Sequence, residues 1–278
     1  MRPARDLWAI YEPFHVVTYF APEARAAFEA AGYRGFWRGY FAGRSAPLGR
    51  TPAAVVTALF GGFAPRTVER AIPAVWDLAP PEAALQARLD GARHALGRLL
   101  AGREGEVEEA AGLLRSVAER AETGGRALGA ANAALPWPED PLGVLWQAAT
   151  VLRETRGDGH LAAQLAVGLD GLSTMVLRTG IDLSREVLQE SRGWTEDEWE
   201  AARKALVSRG LMSPDGTATI SGRAKLERAE ELTDDLAHEP WEAAGDDVAD
   251  RFREVAGPLS DLVRAELPTV TPIGLPER

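Results

Sequence analysis

The sequence predicts an all-α protein with a small β-hairpin, built as two tandem copies of one helical plan. Three observations lead there. Nine segments carry apolar residues at the three-four spacing of an amphipathic helix, and strand signal is confined to one short stretch. Paired motifs also recur at offsets of 138, 136 and 131 residues.

Along the chain, helices are predicted over 23–31 (EARAAFEAA), 66–78 (RTVERAIPAVWDL), 82–100 (EAALQARLDGARHALGRLL) and 106–120. The segment 121–141 is rich in Gly and Pro, has little periodicity and reads as a linker. Helices over 142–154 and 160–178 follow, separated by Arg156-Gly157-Asp158-Gly159, where glycine frees the backbone and Asp158 caps the next helix. A short helix, 184–191, turns into a longer one, 195–209, whose Thr195 and Glu198 form a capping box. Trp194 lies just outside that cap, where it can staple onto Trp199, and Trp199, Ala202 and Leu206 share an apolar face. Leu211-Met212 and Thr217–Ile220 flank Ser-Pro-Asp-Gly, a tight-turn sequence that predicts the hairpin. A last helix spans 221–236 with Ser221 as its cap.

The repeat rests on Leu7-Trp8 answered by Leu145-Trp146, Gly32–Phe36 by Gly168–Leu172, and Phe63–Val68 by Trp194–Trp199. Helix, turn, helix and hairpin make a winged-helix-like unit. The first copy, 1–120, has Ala-Pro-Pro-Glu where a wing would follow and is expected to be wingless; the second, 142–278, keeps the wing and adds C-terminal helices.

Charge bears on the partner. The net charge is −10 and the pI about 5.1, an acid excess that weighs against nucleic acid. The reading helix opens with Glu196, Asp197, Glu198 and Glu200, and its basic residues come only later. Carboxylates there suit the helix dipole and repel phosphate, so operator binding is not expected. The absence of cysteine excludes disulfides and thiol catalysis. The start of the chain has no signal-peptide core and no apolar run approaches a bilayer span, which predicts a cytoplasmic protein without membrane contact. No nucleotide-binding glycine motif or nucleophile elbow occurs, and no cofactor is expected.

Two histidines stand out as candidate acid/base groups. His15 follows Glu12 by three residues, with Tyr19 nearby; His160 follows Asp158, with Arg153 and Arg156 to supply donors. The stretch 32–49, GYRGFWRGYFAGRSAPLG, alternates Tyr33, Phe36, Trp37, Tyr40 and Phe41 with Arg34, Arg38 and Arg44. It fits a pocket for a flat or anionic molecule, and equally a helix packing its aromatic face inward. The expectation is an inter-repeat pocket in which His15, His160, Glu12 and Asp158 are catalytic. Phe14, Tyr19, Phe36, Trp37, Arg38, Tyr40, Arg153 and Arg156 would bind the ligand.

At LWAIYEPFHVVTYFAPEARAAFEAAGYRGFWRGYFAGRSAPLG, ANAALPWPEDP, LRETRGDGHLAA and RGWTEDEWEAARKALVSRGLM, the chain resembles an actinobacterial helix-turn-helix protein family. The resemblance runs over nearly the whole chain and implies winged-helix architecture; it supplies no activity. Residues 184–236 also partly resemble multiple-antibiotic-resistance-type regulators, and the acidic reading helix departs from that pattern. Three functions follow as expectations: a small-molecule-binding protein, extending to an enzyme of specialised metabolism; a ligand-responsive transcriptional regulator; or a structural or protein-interaction module. Homodimerisation through the terminal helices accompanies the second.

Overall fold

A computed structural model describes residues 3–268. Fifteen α-helices follow one another among the described residues. They are α1 (Pro3–Phe20), α2 (Pro22–Ala30), α3 (Phe36–Ser45), α4 (Ala53–Phe60), α5 (Pro65–Glu69), α6 (Val75–Leu78), α7 (Pro81–Leu99) and α8 (Glu104–Ala118). Then come α9 (Ala127–Ala133), α10 (Pro141–Ala166), α11 (Gly171–Thr179), α12 (Arg185–Arg192), α13 (Glu196–Ser208), α14 (Ile220–Ala244) and α15 (Asp246–Arg264). Among the described residues no single helix is long and apolar enough to cross a membrane.

Local chemistry explains many boundaries. Proline opens α2, α5, α7 and α10, where its missing N–H costs nothing. Asp140, Asp170, Ser184, Thr195 and Thr219 each accept a backbone N–H of the helix they precede. Thr219, and not Ser221, therefore caps α14. Prolines inside helices, Pro13, Pro240 and Pro258, leave carbonyls without their usual amide, and for the first two arginines from elsewhere take them up. Pro13 frees the carbonyl of Ala9, which accepts from Arg264 Nη2 at 2.7 Å; Pro240 frees that of Leu236, which accepts from Arg126 Nη2 at 3.2 Å.

Three apolar clusters organise the packing. The largest joins α1, α7, α8, α10 and α15 through Leu7, Phe14, Leu96, Leu114, Leu145, Phe252 and Leu259. A second, with Phe28, Phe41, Phe60, Phe63, Ile72 and Trp76, gathers α2 to α6. A third joins α11 to α13 and the start of α14 around Leu177, Leu188, Trp199 and Leu206. Helix α10 runs between neighbours as the spine, about 39 Å long at 1.5 Å per residue.

The structure corrects four expectations. No strand forms among the described residues, so the expected wing and the winged-helix repeat built on it do not describe this fold, which is all-α. Met212 and Ala218 make one isolated bridge, flanked by Ser213 N to Thr217 O at 2.8 Å and Thr219 N to Leu211 O at 3.1 Å; Thr219 then caps α14, which begins at Ile220, so the pairing stops there. The break expected at 155–159 is also absent, because α10 continues through Gly157 and Gly159. Each glycine costs about 1 kcal/mol in a helix. Burial on both sides offsets that, with Gly129 of α9 set against Thr155 and Leu236 of α14 against Gly159. Asp158 is accordingly no cap of its own helix and accepts from Gly129 N at 2.9 Å. The predicted helix 66–78 is divided into α5 and α6, with a cis Ile72-Pro73 bond between them.

Candidate functional site

Helices α1, α3, α7, α10 and α12 converge on a polar cluster inside an otherwise apolar interior. Glu154 of α10, 2% exposed, is its centre. Arg44 of α3 grips it with two bonds, Nε and Nη2 each at 3.1 Å, and Arg153 Nη1 reaches the same carboxylate at 3.0 Å. Arg153 also lies 3.6 Å from Glu12, whose other oxygen accepts from Trp8 Nε1 at 2.8 Å. Arg88 of α7 has neutral partners only among its bonds: Gly43 O at 3.2 Å, Asn132 Oδ1 at 2.9 Å and the face of Trp146. Arg192, the last residue of α12, covers the Phe63 ring and hydrogen-bonds the Tyr40 hydroxyl, which Arg44 Nη1 also reaches at 3.2 Å.

Four guanidinium groups thus face two carboxyl groups, and the titration of their neighbours reports the imbalance. Burial opposes ionisation of Glu154, yet Arg153 and Arg44 override it and hold the carboxyl well below its usual range. Burial raises Glu12, with Arg153 and Trp8 opposing only in part. Burial would raise the Tyr40 phenol, but Arg44, Arg192 and Arg153 bring it below its ordinary value. Burial pushes Arg88 down to about 10. Asp158, a turn beyond Glu154, is pushed up to about 6 by burial and is engaged by the start of α9.

His15 is 2% exposed, and burial, followed by Arg153, holds it well below its ordinary value, so it is neutral. Its tautomer follows from its neighbours. Thr150 Oγ1 gives its hydrogen to Trp146 O at 2.8 Å, so it accepts from His15 Nδ1–H at 2.9 Å. The free lone pair on Nε2 then accepts from the Tyr19 hydroxyl at 3.0 Å. The Tyr19 and Tyr40 rings lie 5.1 Å apart. Burial raises the Tyr19 phenol as it lowers the His15 imidazole, so the two are held as a neutral hydrogen-bonded pair.

Two adjoining cavities open here. The inner, about 10 Å³, is lined by His15, Tyr19, Tyr40, Arg44, Arg88 and Glu154. The outer, about 20 Å³, runs between α2 and α3 past Phe28, Tyr33, Phe36 and Tyr40 to Arg25 and Glu29. Each has space for about one water. A larger groove of about 360 Å³ lies on the α11–α13 module beside Trp199 and Pro214, but its arginines are engaged: Arg185 by Glu196 and Glu200, Arg203 by Glu200.

Of the residues expected from the sequence, Glu12, His15, Tyr19, Tyr40 and Arg153 come together in the cluster, and Phe36 lines its mouth. The others are placed elsewhere. Phe14 is fully buried in the α1–α15 core, Trp37 packs on Phe41 and Phe63, and Arg38 points to solvent, reaching Arg34 O. The two histidines do not face one another. His160 lies ten residues beyond Thr150 on α10, about 15 Å along the axis. It donates from Nδ1 to Thr233 Oγ1 at 3.0 Å and accepts from Gln164 Nε2 at 2.7 Å. Arg156 belongs to that second group, paired with Asp234 at 2.9 Å and Glu230 at 3.3 Å. Sequence reasoning missed Arg88, Glu154 and Arg192, and noted Arg44 without choosing it. Arg44 follows Tyr40 by four, so the two share a face; Arg88 sits on the otherwise small face Ala84-Ala87-Gly91-Ala92 of α7.

The α12–turn–α13 segment has the helix-turn-helix form, with Gly193 left-handed at φ +75°. Its turn is covered by the same chain. Ala64 N donates to Arg192 O at 3.0 Å, Trp194 Nε1 to Gly62 O at 2.9 Å, and Arg66 Nη2 to Gly193 O at 2.6 Å. Arg66 also forms a two-bond pair with Glu198, at 2.8 and 2.5 Å. A Cβ at position 193 would fall 2.0 Å from Thr67 Oγ1, so the close approach requires glycine. Farther along α13, Arg203 and Arg209 donate to Pro214 O and Gly168 O. The residues a duplex would meet first, Glu196, Glu198 and Glu200, are acidic and engaged internally.

No curated protein and no solved structure matches the chain. The helix-turn-helix segment accounts for only part of it, yet one sequence family covers nearly all of it: matching over residues 4–270, the chain belongs to a helix-turn-helix family.

Proposed function

We propose that the chain is a binding protein for a small anion carried on a flat apolar body, of which an aromatic carboxylate is the simplest example. The observation that carries this is the buried charge imbalance: Arg44, Arg88, Arg153 and Arg192 against Glu154 and a Glu12 pushed toward its neutral form. Buried cations are costly unless paired, and an arginine fork matches a carboxylate. The aromatic mouth of Phe28, Tyr33, Phe36 and Tyr40 suits a ring. At its present size the cavity takes only water, so a ligand is admitted by α3 moving off α2. Gly39 and Gly43 carry no side chain against Phe28, which leaves that contact smooth.

Thermal denaturation with benzoate and with its neutral counterpart benzamide tests the proposal. Benzoate raises the melting temperature, benzamide does not, and Arg88→Met, an apolar replacement of similar length, loses the response while remaining folded. Equal responses to the two compounds count against it.

The second reading, a ligand-responsive regulator, draws on family membership and on the α12–α13 segment itself. Fluorescence anisotropy with labelled duplex DNA at low salt separates the two. The covered turn and acidic tip favour no salt-dependent binding.

A further inference from the structure

Arg192 has two ends with different partners. Its side chain borders the arginine cluster, lying on Tyr40 and Phe63. Its backbone carbonyl accepts from Ala64, and the next residue, Gly193, is clasped by Arg66 and crowded by Thr67. The far side of that clasp is the Arg66–Glu198 pair at the start of α13. Phe63, the ring under Arg192, is itself part of the segment that docks, and it packs on Tyr40 at 5.6 Å between centroids. Tyr40, which lines both cavities, touches Phe63 and Arg192 directly, so no layer intervenes between the site and the helix-turn-helix turn.

We propose that an anion in the arginine cluster locks the helix-turn-helix turn onto residues 62–67, with Arg192 as the residue that joins the two. This rests on the anion-binding reading above. Holding the Arg192 guanidinium in the site fixes the end of α12, which presents the carbonyls of Arg192 and Gly193 to Ala64 and Arg66. Reciprocity then requires the clasp to favour the anion as much as the anion favours the clasp.

Hydrogen–deuterium exchange on the full chain, with benzoate as the probe, tests this. In the wild type benzoate slows exchange of the Ala64 amide and of residues 193–198 by about tenfold, within the range such couplings span. Arg192→Met still binds benzoate through the other three arginines, more weakly, and the slowing disappears. Glu198→Gln, which touches no atom of the site, lowers benzoate affinity severalfold. Binding with unchanged exchange in the wild type, or unchanged affinity in Glu198→Gln, overturns the coupling. Should benzoate fail to bind at all, the anion-binding reading falls, and the locking of the turn by an anion falls with it. The Arg192 linkage is still read without ligand: faster Ala64 exchange in Arg192→Met than in the wild type supports it, and equal exchange overturns it.

Discussion

Replacing Glu154 with glutamine separates two properties that usually move together. The carboxylate accepts two bonds from Arg44 at 3.1 Å and one contact from Arg153 at 3.0 Å, in a position 2% exposed. Glutamine keeps one acceptor and turns an amide NH₂ toward a guanidinium, leaving buried positive charge uncompensated. Breaking a buried pair in this way costs about 3–5 kcal/mol. At roughly 2–4 °C per kcal/mol for a chain of this size, the melting temperature falls by about 10 °C. The anion responds the other way. A like charge removed at about 6 Å in an effective dielectric of about 20 is worth roughly 3 kcal/mol, which is about a hundredfold in affinity before salt screening. Glu154→Gln is therefore less stable than the wild type and binds benzoate more tightly. Thermal melts followed by calorimetric titration at 10 °C read both quantities. A variant that is destabilised but binds benzoate no better than the wild type refutes the charge argument.

Three further outcomes follow from the packing and the titrations. Gly91→Ala places a Cβ 2.5 Å from the backbone of Ala24, so α2 must shift from α7; overpacking of about 1–3 kcal/mol is read by chemical denaturation. Thr195→Ala removes the reciprocal cap with Glu198 and costs about 1 kcal/mol by the same measurement. Asp158 titrates about 6 in the fold against 3.8 ordinarily, so the native state binds more protons than the unfolded one between those values and stability falls as pH rises through them. Asp158→Asn keeps an acceptor for Gly129 and loses that penalty, so its stability relative to the wild type climbs from pH 4 to pH 6 and levels above; a gap independent of pH contradicts the assignment.

What was legible in the sequence was what neighbours in the chain decide. Thr195 and Glu198 cap α13 with residues three apart, and Glu12, His15 and Tyr19 share one face of α1. The failures came where distant parts of the chain overrule local preference. Gly157 and Gly159 read as a helix break, and contacts from α9 and α14 keep the helix whole. Ser213–Gly216 reads as a hairpin turn, and α14 starts at Ile220 with Thr219 as its cap before a ladder can extend. The site divided in the same way. Tyr19, Tyr40 and Arg153 were visible among aromatic and basic runs, whereas Glu154 lies 110 residues from Arg44 in the chain. The pair could be known only from packing. His160 stands out in the sequence for the glycines beside it, and of these only Gly159 meets another helix, at Leu236 of α14.

The most direct measurement is a crystal structure of the protein with 4-bromobenzoate, whose bromine is located by anomalous scattering. The account predicts the carboxylate within hydrogen-bond distance of Arg44, Arg88 or Arg192 and the ring between α2 and α3 beside Phe28 and Phe36. Bromine found only at the surface, with the arginine cluster unchanged around water, contradicts it.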